Sequence, residues 1–308
     1  MTDDRDPVDL ATRGHIDAMV RAALQYGLDP VEAIRLASYN AAQYFGLDDC
    51  GAIAPGYRAD LLVVDDLPSF SIEAVYKDGA LVAERGRPCF TVPAADPQAL
   101  ARLTGTIHIA PLGLADLRLT GHTGPATVIG VEEGQITTRR LVDDVTARDG
   151  YLLADPGRDL VKLVAVERHH STGRVGRGLV KGFGLRRGAI ASSVAHDAHN
   201  LIVAGVDDAD ILRAIAVVQD MAGGFAVVAG EAVATVPLPL GGLVSPQPVE
   251  VVVAQLAALD RAAADLGCRL EHPCMTLSFL SLTVIPELRL TDQGLVDVTT
   301  AQLIPLQR

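Results

Sequence analysis

Tryptophan is absent from this chain, and 6 tyrosines and 6 phenylalanines are the only other large aromatic residues among its 308. A chain so poor in flat rings has little on which to stack the bases of a single-stranded nucleic acid. Basic residues are in short supply too. The 26 Lys and Arg stand against 38 Asp and Glu, a formal net charge of −12, which argues against a nucleic-acid polyanion as partner. No apolar run approaches the ~20 residues of a membrane-spanning helix, so none is expected. The first residues lack the basic region and apolar stretch of a signal peptide, which makes the cytoplasm the expected location. Cysteine is scarce, and Cys50, Cys89, Cys268 and Cys274 are scattered without metal-type spacing. Buried thiols are the expectation.

What is present is a globular composition, 49% hydrophobic over a length that suits two or three domains. The chain opens "MTDDRDPVDL", with four aspartates among its first nine residues. Such a run reads either as a solvated acidic end or as the edge of a site. Helical punctuation follows at once. Ile16, Met19, Val20, Ala23 and Leu24 recur at helical spacing, and Gly27 supplies a stop. Asp29-Pro30-Val31-Glu32 reads as N-cap, N1 proline and the N3 glutamate of a capping box, opening a helix expected to reach Phe45 and end at Gly46.

The pattern then changes to strands. Leu61 to Val64 is a short apolar strand after the Pro55-Gly56 turn, and "AVYKDGALVAERG" is a hairpin turning at Asp78-Gly79. A Pro- and Ala-rich stretch from Val92 to Ala101 reads as a linker. Beyond it, paired strands are expected around Glu133-Gly134, then a strand in "DLVKLVAVERHH". Strand, helix, strand, turn and strand follow in "LIVAGVDDADILRAIAVVQDMAGGFAVVAGEAVATV", with Ile211, Ile215, Val218 and Ala222 as the buried helix stripe. A long helix from about Pro248 to Leu266 comes next. The fold class is α+β.

Three stretches carry candidate chemistry. "SSVAHDAHN" sets His196, Asp197, His199 and Asn200 just before a strand. Histidines at i and i+3 are able to share a metal, a carboxylate between them is able to orient an imidazole, and the plain alternative is one capping histidine and one solvated one. "ERHHSTGRVGRG" brings Glu167, Arg168, His169 and His170 to a strand end before a Gly-rich loop, a common place for ligand contacts and equally for a basic surface loop. Its glycines fit neither phosphate-binding fingerprint. "HPCMTLSFLSLTVIPEL" reads as core, with Cys274, Met275, Leu277, Phe279 and Leu280 apolar and with Ser278 and Ser281 needing buried partners.

The stretch from "TDDRDPVDL" through "GAIAPGYRADLLVVDDL" resembles the closing section of a metal-dependent amidohydrolase. Together with "VKGFGLRRGAIASSVAHDAHNLIVAG", "PLPLGGLVSP" and "MTLSFLSLTVIPELRLTDQGLVDV" it is similar to the bacterial adenine deaminase family over nearly the whole chain, most weakly from Arg102 to Thr120. The resemblance implies that residues 1–50 are the last helices of a (β/α)8 barrel. Residues 51–95 would be part of a small β-sandwich, and residues 96–308 the C-terminal α+β domain. It implies hydrolysis of adenine to hypoxanthine and ammonia with two manganese or iron ions, a metal-activated hydroxide attacking C6 while a carboxylate moves protons.

Asp3 matches that carboxylate, which is also a metal ligand, and Asp4 is its neighbour. Candidates beside the purine are Glu167, Arg168, His169, Asp197, Asn200 and Ser278, with His196 and His199 as further metal candidates. The family's His-x-His, bridging carboxylate and two later histidines are not in this sequence, and one carboxylate cannot hold a metal pair. The expectation is therefore a truncated or split form, inactive alone and completed by a barrel-bearing partner chain. The alternative is a non-catalytic purine-binding or oligomerisation module. Apolar helix faces at 16–24 and 34–45 imply association, with a homo-oligomer as one form, or partial disorder.

Overall fold

A computed structural model describes Thr2 and residues 5–307. Asp3 and Asp4 lie outside the described residues. The chain divides into two compact units, Met1–Ala95 and Asp96–Arg308.

In the first unit, α1 (Pro7–Thr12), α2 (Ile16–Gln25), α3 (Pro30–Ala37) and α4 (Tyr39–Tyr44) precede a four-stranded meander of β1 (Leu61–Val64), β2 (Ile72–Lys77), β3 (Ala80–Glu84) and β4 (Arg87–Pro88). Helix α2 stops as its sequence demands. Gly27 is left-handed at φ +89°, Leu28 N donates to Ala23 O and Gly27 N to Leu24 O, the paired bonds of a Schellman end. Asp29 caps α3 through the N–H groups of Val31 and Glu32. The reciprocal half of the expected capping box is replaced, since Glu32 faces Arg35 at 3.1 Å.

The single helix expected as far as Phe45 is two. The Ser38 hydroxyl donates to Ile34 O at 2.6 Å, the carbonyl that its own N–H would take in a continuous helix. That N–H is left at 3.4 Å from Arg35 O, and the backbone swings to φ −131°, ψ −84°. The hairpin is as read, with Asp78 and Gly79 both at positive φ (+49° and +80°), the type I′ geometry that joins two-residue hairpins.

The second unit begins with α5 (Pro97–Leu103), capped by Asp96, so the stretch read as linker holds a helix start. Its sheet runs β14-β13-β11-β12-β9-β10-β5-β6. These strands are β5 (Gly124–Val131), β6 (Thr138–Val145), β9 (Leu160–Val166), β10 (Val175–Lys181), β11 (Ala189–Ser192), β12 (Leu201–Gly205), β13 (Gly224–Ala229) and β14 (Ala232–Pro237). β7 (Ala147–Arg148) and β8 (Tyr151–Leu152) form a small ribbon, while β15 (Leu288–Thr291), β16 (Gly294–Asp297) and β17 (Gln302–Leu303) form a third sheet. Neighbours in the large sheet are antiparallel except β5 and β10.

Every residue of β9, β11 and β12 is buried, so these strands read as apolar runs and do not alternate. Helix α6 (Asp208–Asp220) lays Ile211, Ala214, Ile215 and Val218 on Val164, Val166, Ala189, Ala191, Leu201 and Val203. Ala222 lies past the end of α6 at φ +61° and is not part of the stripe. Helices α7 (Val249–Asp265) and α8 (Pro273–Phe279) pack on β13–β14 and on β11–β12 respectively. Cys268 and Cys274 are buried as expected, but Cys89 is exposed and Cys50 only half-buried. Ser278 donates to Met275 O within its own helix, while Ser281 Oγ is buried without a partner.

Candidate functional site

Antiparallel pairing sends the end of β9, the end of β11 and the starts of β10, β12 and β13 to one edge of the large sheet. The loops at that edge carry "ERHHSTG" and "SSVAHDAHN". At their meeting point is Arg168, 1% exposed. Its Nε donates to His199 O, Nη2 to Gly241 O at 3.1 Å, and Nη1 to Thr106 O at 3.4 Å. Three backbone carbonyls and no carboxylate hold this guanidinium, and desolvation lowers its pKa. The glycine pair of "PLPLGGLVSP" is needed here for space. Gly242 is at φ +73°, and a Cβ on it would stand 2.8 Å from Arg168 Nη1. Ser193 ties the same loop down by donating to Gly242 O at 2.6 Å and accepting from Gly224 N at 2.7 Å.

Glu167, on the other side of the backbone, closes its own loop. Oε1 accepts from the N–H groups of His169 (2.6 Å) and His170 (2.8 Å). Oε2 accepts from Thr172 N at 3.0 Å and Thr172 Oγ1 at 2.9 Å. Burial pushes this carboxyl up, but the N–H bonds from Thr172, His169 and His170 and the Thr172 hydroxyl outweigh it and bring the pKa to about 2. His169 Nε2 reaches Ala198 O at 2.8 Å, linking the two loops again.

His196 and His199 are edge to face with ring centroids 5.5 Å apart, and His196 lies against the Phe279 ring at 5.0 Å. The His199 Nδ1 accepts from Ala195 N at 3.3 Å. Burial, followed by the charges of His196 and Arg168, lowers the His199 pKa against the opposing pull of Asp197. Asn200 accepts from Arg168 N through Oδ1 at 3.4 Å and donates to Asp292 Oδ1 at 3.1 Å. Asp292 Oδ2 is 2.8 Å from Arg174 Nε. No N–H is aimed along that line, so the contact is one of charge and not a formed hydrogen bond. Ser278 O accepts from His196 N at 3.0 Å. Asp197 is exposed.

The structure thus gathers Glu167, Arg168, His169, His196, His199, Asn200 and the Ser278 carbonyl at one edge. Sequence reasoning missed Thr106, Ser193, Gly241, Gly242 and Asp292. The Gly241-Gly242 pair was the only one with a local signal, because adjacent glycines mark backbone that something approaches closely. Among the described residues no three His, Cys, Asp or Glu side chains converge as a metal site. With His199 Nδ1 already bonded, the described residues do not fit a metal pair.

Both units have relatives by sequence. Residues 2–82 match the Amidohydrolase family, and residues 135–302 match the Adenine deaminase C-terminal domain. An adenine deaminase of Dehalococcoides mccartyi is 50% identical over 99% of this chain and 53% of its own length. Adenine deaminase 2 of Carboxydothermus hydrogenoformans is 45% identical over 99% and 54%, and an adenine deaminase of Cereibacter sphaeroides 44% over 99% and 53%. The chain belongs to the adenine deaminase family. It spans about half the length of the curated relatives it matches. The family is one of metal-dependent hydrolases, and no helix among the described residues is long and apolar enough to cross a membrane.

Proposed function

We propose that this chain works as the C-terminal part of an adenine deaminase, the reaction being hydrolysis of adenine to hypoxanthine and ammonia in purine salvage in the cytoplasm. The observation that carries this reading is that 306 residues align with an adenine deaminase at 50% identity, through both units and not through one shared fold motif. In this reading residues 1–50 close the barrel, 51–95 contribute to the β-sandwich and 96–308 form the family's C-terminal domain. Asp3 is the carboxylate that moves protons and ligates metal, manganese or iron, with Asp4 beside it. The other ligands belong to barrel sequence not contained in these 308 residues, contiguous with this chain or carried on a second polypeptide. No His-x-His occurs here.

The part played by the described residues is positional. Arg168, buried and bonded to three backbone carbonyls, does not itself contact the purine in this reading. It locks the 167–172 and 195–200 loops into a wall from which Asp197 and His170 project. Ammonia release from adenine tests the reading. The purified chain is assayed alone and with a polypeptide carrying the barrel portion of the Dehalococcoides mccartyi relative. Ammonia is expected only from the mixture. Turnover by the chain alone at an enzyme-like rate, or silence from an assembled mixture, overturns the reading. Calorimetric binding of adenine by the chain alone, with no turnover in the mixture, favours the purine-binding module instead.

A further inference from the structure

Two segments of the Asp96–Arg308 unit share a three-residue pattern, Gly184-Leu185-Arg186 and Gly267-Cys268-Arg269. They bond to one another reciprocally. Arg186 N donates to Leu266 O at 2.9 Å, and Arg269 N donates to Phe183 O at 3.0 Å. Both glycines are left-handed, at φ +76° and +97°. Each lies under the arginine of the opposite segment: a Cβ on Gly184 would stand 3.0 Å from Arg269 Cγ, and one on Gly267 3.0 Å from Arg186 Cγ. The two aliphatic stems are therefore laid across facing glycines in a local two-fold arrangement, and side chains larger than hydrogen at either glycine would lift them.

Both arginines border a cleft of about 450 Å³, shared with Pro156, Gly157 and Asp159. The volume falls within the roughly 300–1,000 Å³ of small-molecule sites. Asp159 is the acid in its lining, and that carboxylate is already occupied by Gly184 N at 2.6 Å and Gly182 N at 3.1 Å. Elsewhere in the same unit Arg139, Arg140, Arg158, Arg174 and Arg213 each meet a carboxylate, whereas Arg186 and Arg269, exposed like Arg148 and Arg187, do not. Among the described residues Arg186 and Arg269 have no ion pair and no side-chain hydrogen bond, although the chain carries 12 more acidic than basic residues.

We propose that Arg186 and Arg269 form a binding site for a phosphate group, free or borne by a small molecule. Guanidinium forks match phosphate oxygens two at a time. Holding both stems on glycine reduces the rotamer freedom lost when an anion is clamped. The proposal goes beyond the deaminase reading, because adenine carries no phosphate.

Calorimetry on the full chain at low salt tests it, with inorganic phosphate, ribose 5-phosphate and ribose as the probes. Phosphate and ribose 5-phosphate are expected to bind saturably and ribose not to bind. A tighter ribose 5-phosphate identifies an organic phosphate as the occupant, and equal affinities identify the free ion; either supports the site. Arg186→Ala and Arg269→Ala should each weaken binding roughly tenfold or more, the loss of one charge-assisted hydrogen bond. Arg269→Lys should recover only part of that, as a point charge lacks the fork. Arg213→Ala, which removes an equal charge elsewhere, should change nothing. Failure of both phosphates to bind, unchanged affinity in the Arg186→Ala/Arg269→Ala double variant, or an equal loss in Arg213→Ala overturns the proposal.

Discussion

The Asp96–Arg308 unit buries even its charges, whereas the Met1–Ala95 unit leaves large apolar side chains in water. In the former, Leu163, Val164, Ile190, Leu201 and Ile202 are 0% exposed, as is Arg289, and Arg168 is at 1%. In the latter the core is Val20, Ala33 and Phe70 with a few half-buried neighbours, while Tyr26, Ile53 and Tyr44 are 94%, 88% and 84% exposed. The contrast separates two kinds of sequence pressure. The second unit has enough apolar surface to complete a core of its own, and it uses the surplus stability to hold polar groups away from water. The first spends apolar residues on faces that its own described residues do not cover, leaving apolar surface open to contact with other protein.

That contrast breaks most visibly at Arg168. Replacing it by Ala leaves the carbonyls of His199, Thr106 and Gly241 without their buried donor and opens a cavity, at a cost of roughly 4 kcal/mol. The urea midpoint should fall accordingly, and Arg168→Lys should not restore it, because one ammonium cannot span three divergent carbonyls. Gly242→Ala should cost about 2 kcal/mol, from the left-handed backbone and the contact with the Arg168 fork. In the double variant the two losses should sum to less than their total, since the contact part of the Gly242 penalty vanishes with Arg168. Strict additivity would mean that Gly242 serves backbone geometry alone.

Acid should sharpen the contrast, because Glu167 and His199, the perturbed acid-range groups described at the sheet edge, both belong to the second unit. The Glu167 carboxyl titrates near 2 in the folded chain against an ordinary 4.5. Its stabilising contribution is thus present above about pH 4.5 and is lost as pH falls toward 2. His199 is depressed below its ordinary 6.5, mainly by burial. The folded form holds it neutral while the unfolded chain takes a proton, so stability begins to decline as pH drops below 6.5. Unfolding free energy measured against pH should have a gentle slope from His199 and a steeper one from Glu167. Glu167→Gln should remove the second slope and leave the first.

Local grammar was readable in the sequence, and long-range contact was not. Gly27 and Gly46 end helices, and Asp78-Gly79 turns a hairpin, because the physics of each is contained within a few residues. Ser38 defeated the reading of one helix, since a serine hydroxyl taking the i−4 carbonyl leaves no trace in apolar spacing. At the candidate site, Arg168 and His199 were named from their own stretches and bond directly, but a further partner of the arginine, Gly241 O, lies 73 residues from Arg168 in the chain. Thr106 lies in the segment where the family resemblance is weakest, yet its carbonyl, with His108 N bonded to Arg168 O at 2.7 Å, completes the arginine's setting. Backbone groups contribute these contacts, and a carbonyl is the same in every residue.

The smallest effect on stability is expected where the contrast is most extreme. Tyr44→Ser and Ile53→Ser remove side chains that are already 84% and 88% exposed, so the free energy of unfolding should move by less than about 0.5 kcal/mol. Association should respond instead. If the first unit's apolar faces are made to be covered by other protein, the wild-type chain should bind a hydrophobic dye and scatter more light with rising concentration, and the double variant should do both less. A wild-type chain that stays monomeric and dye-free at high concentration would remove the reason for reading this unit as the packing partner of further protein. Its exposed tyrosines and isoleucine would then be ordinary single apolar residues on a surface, which folded proteins tolerate.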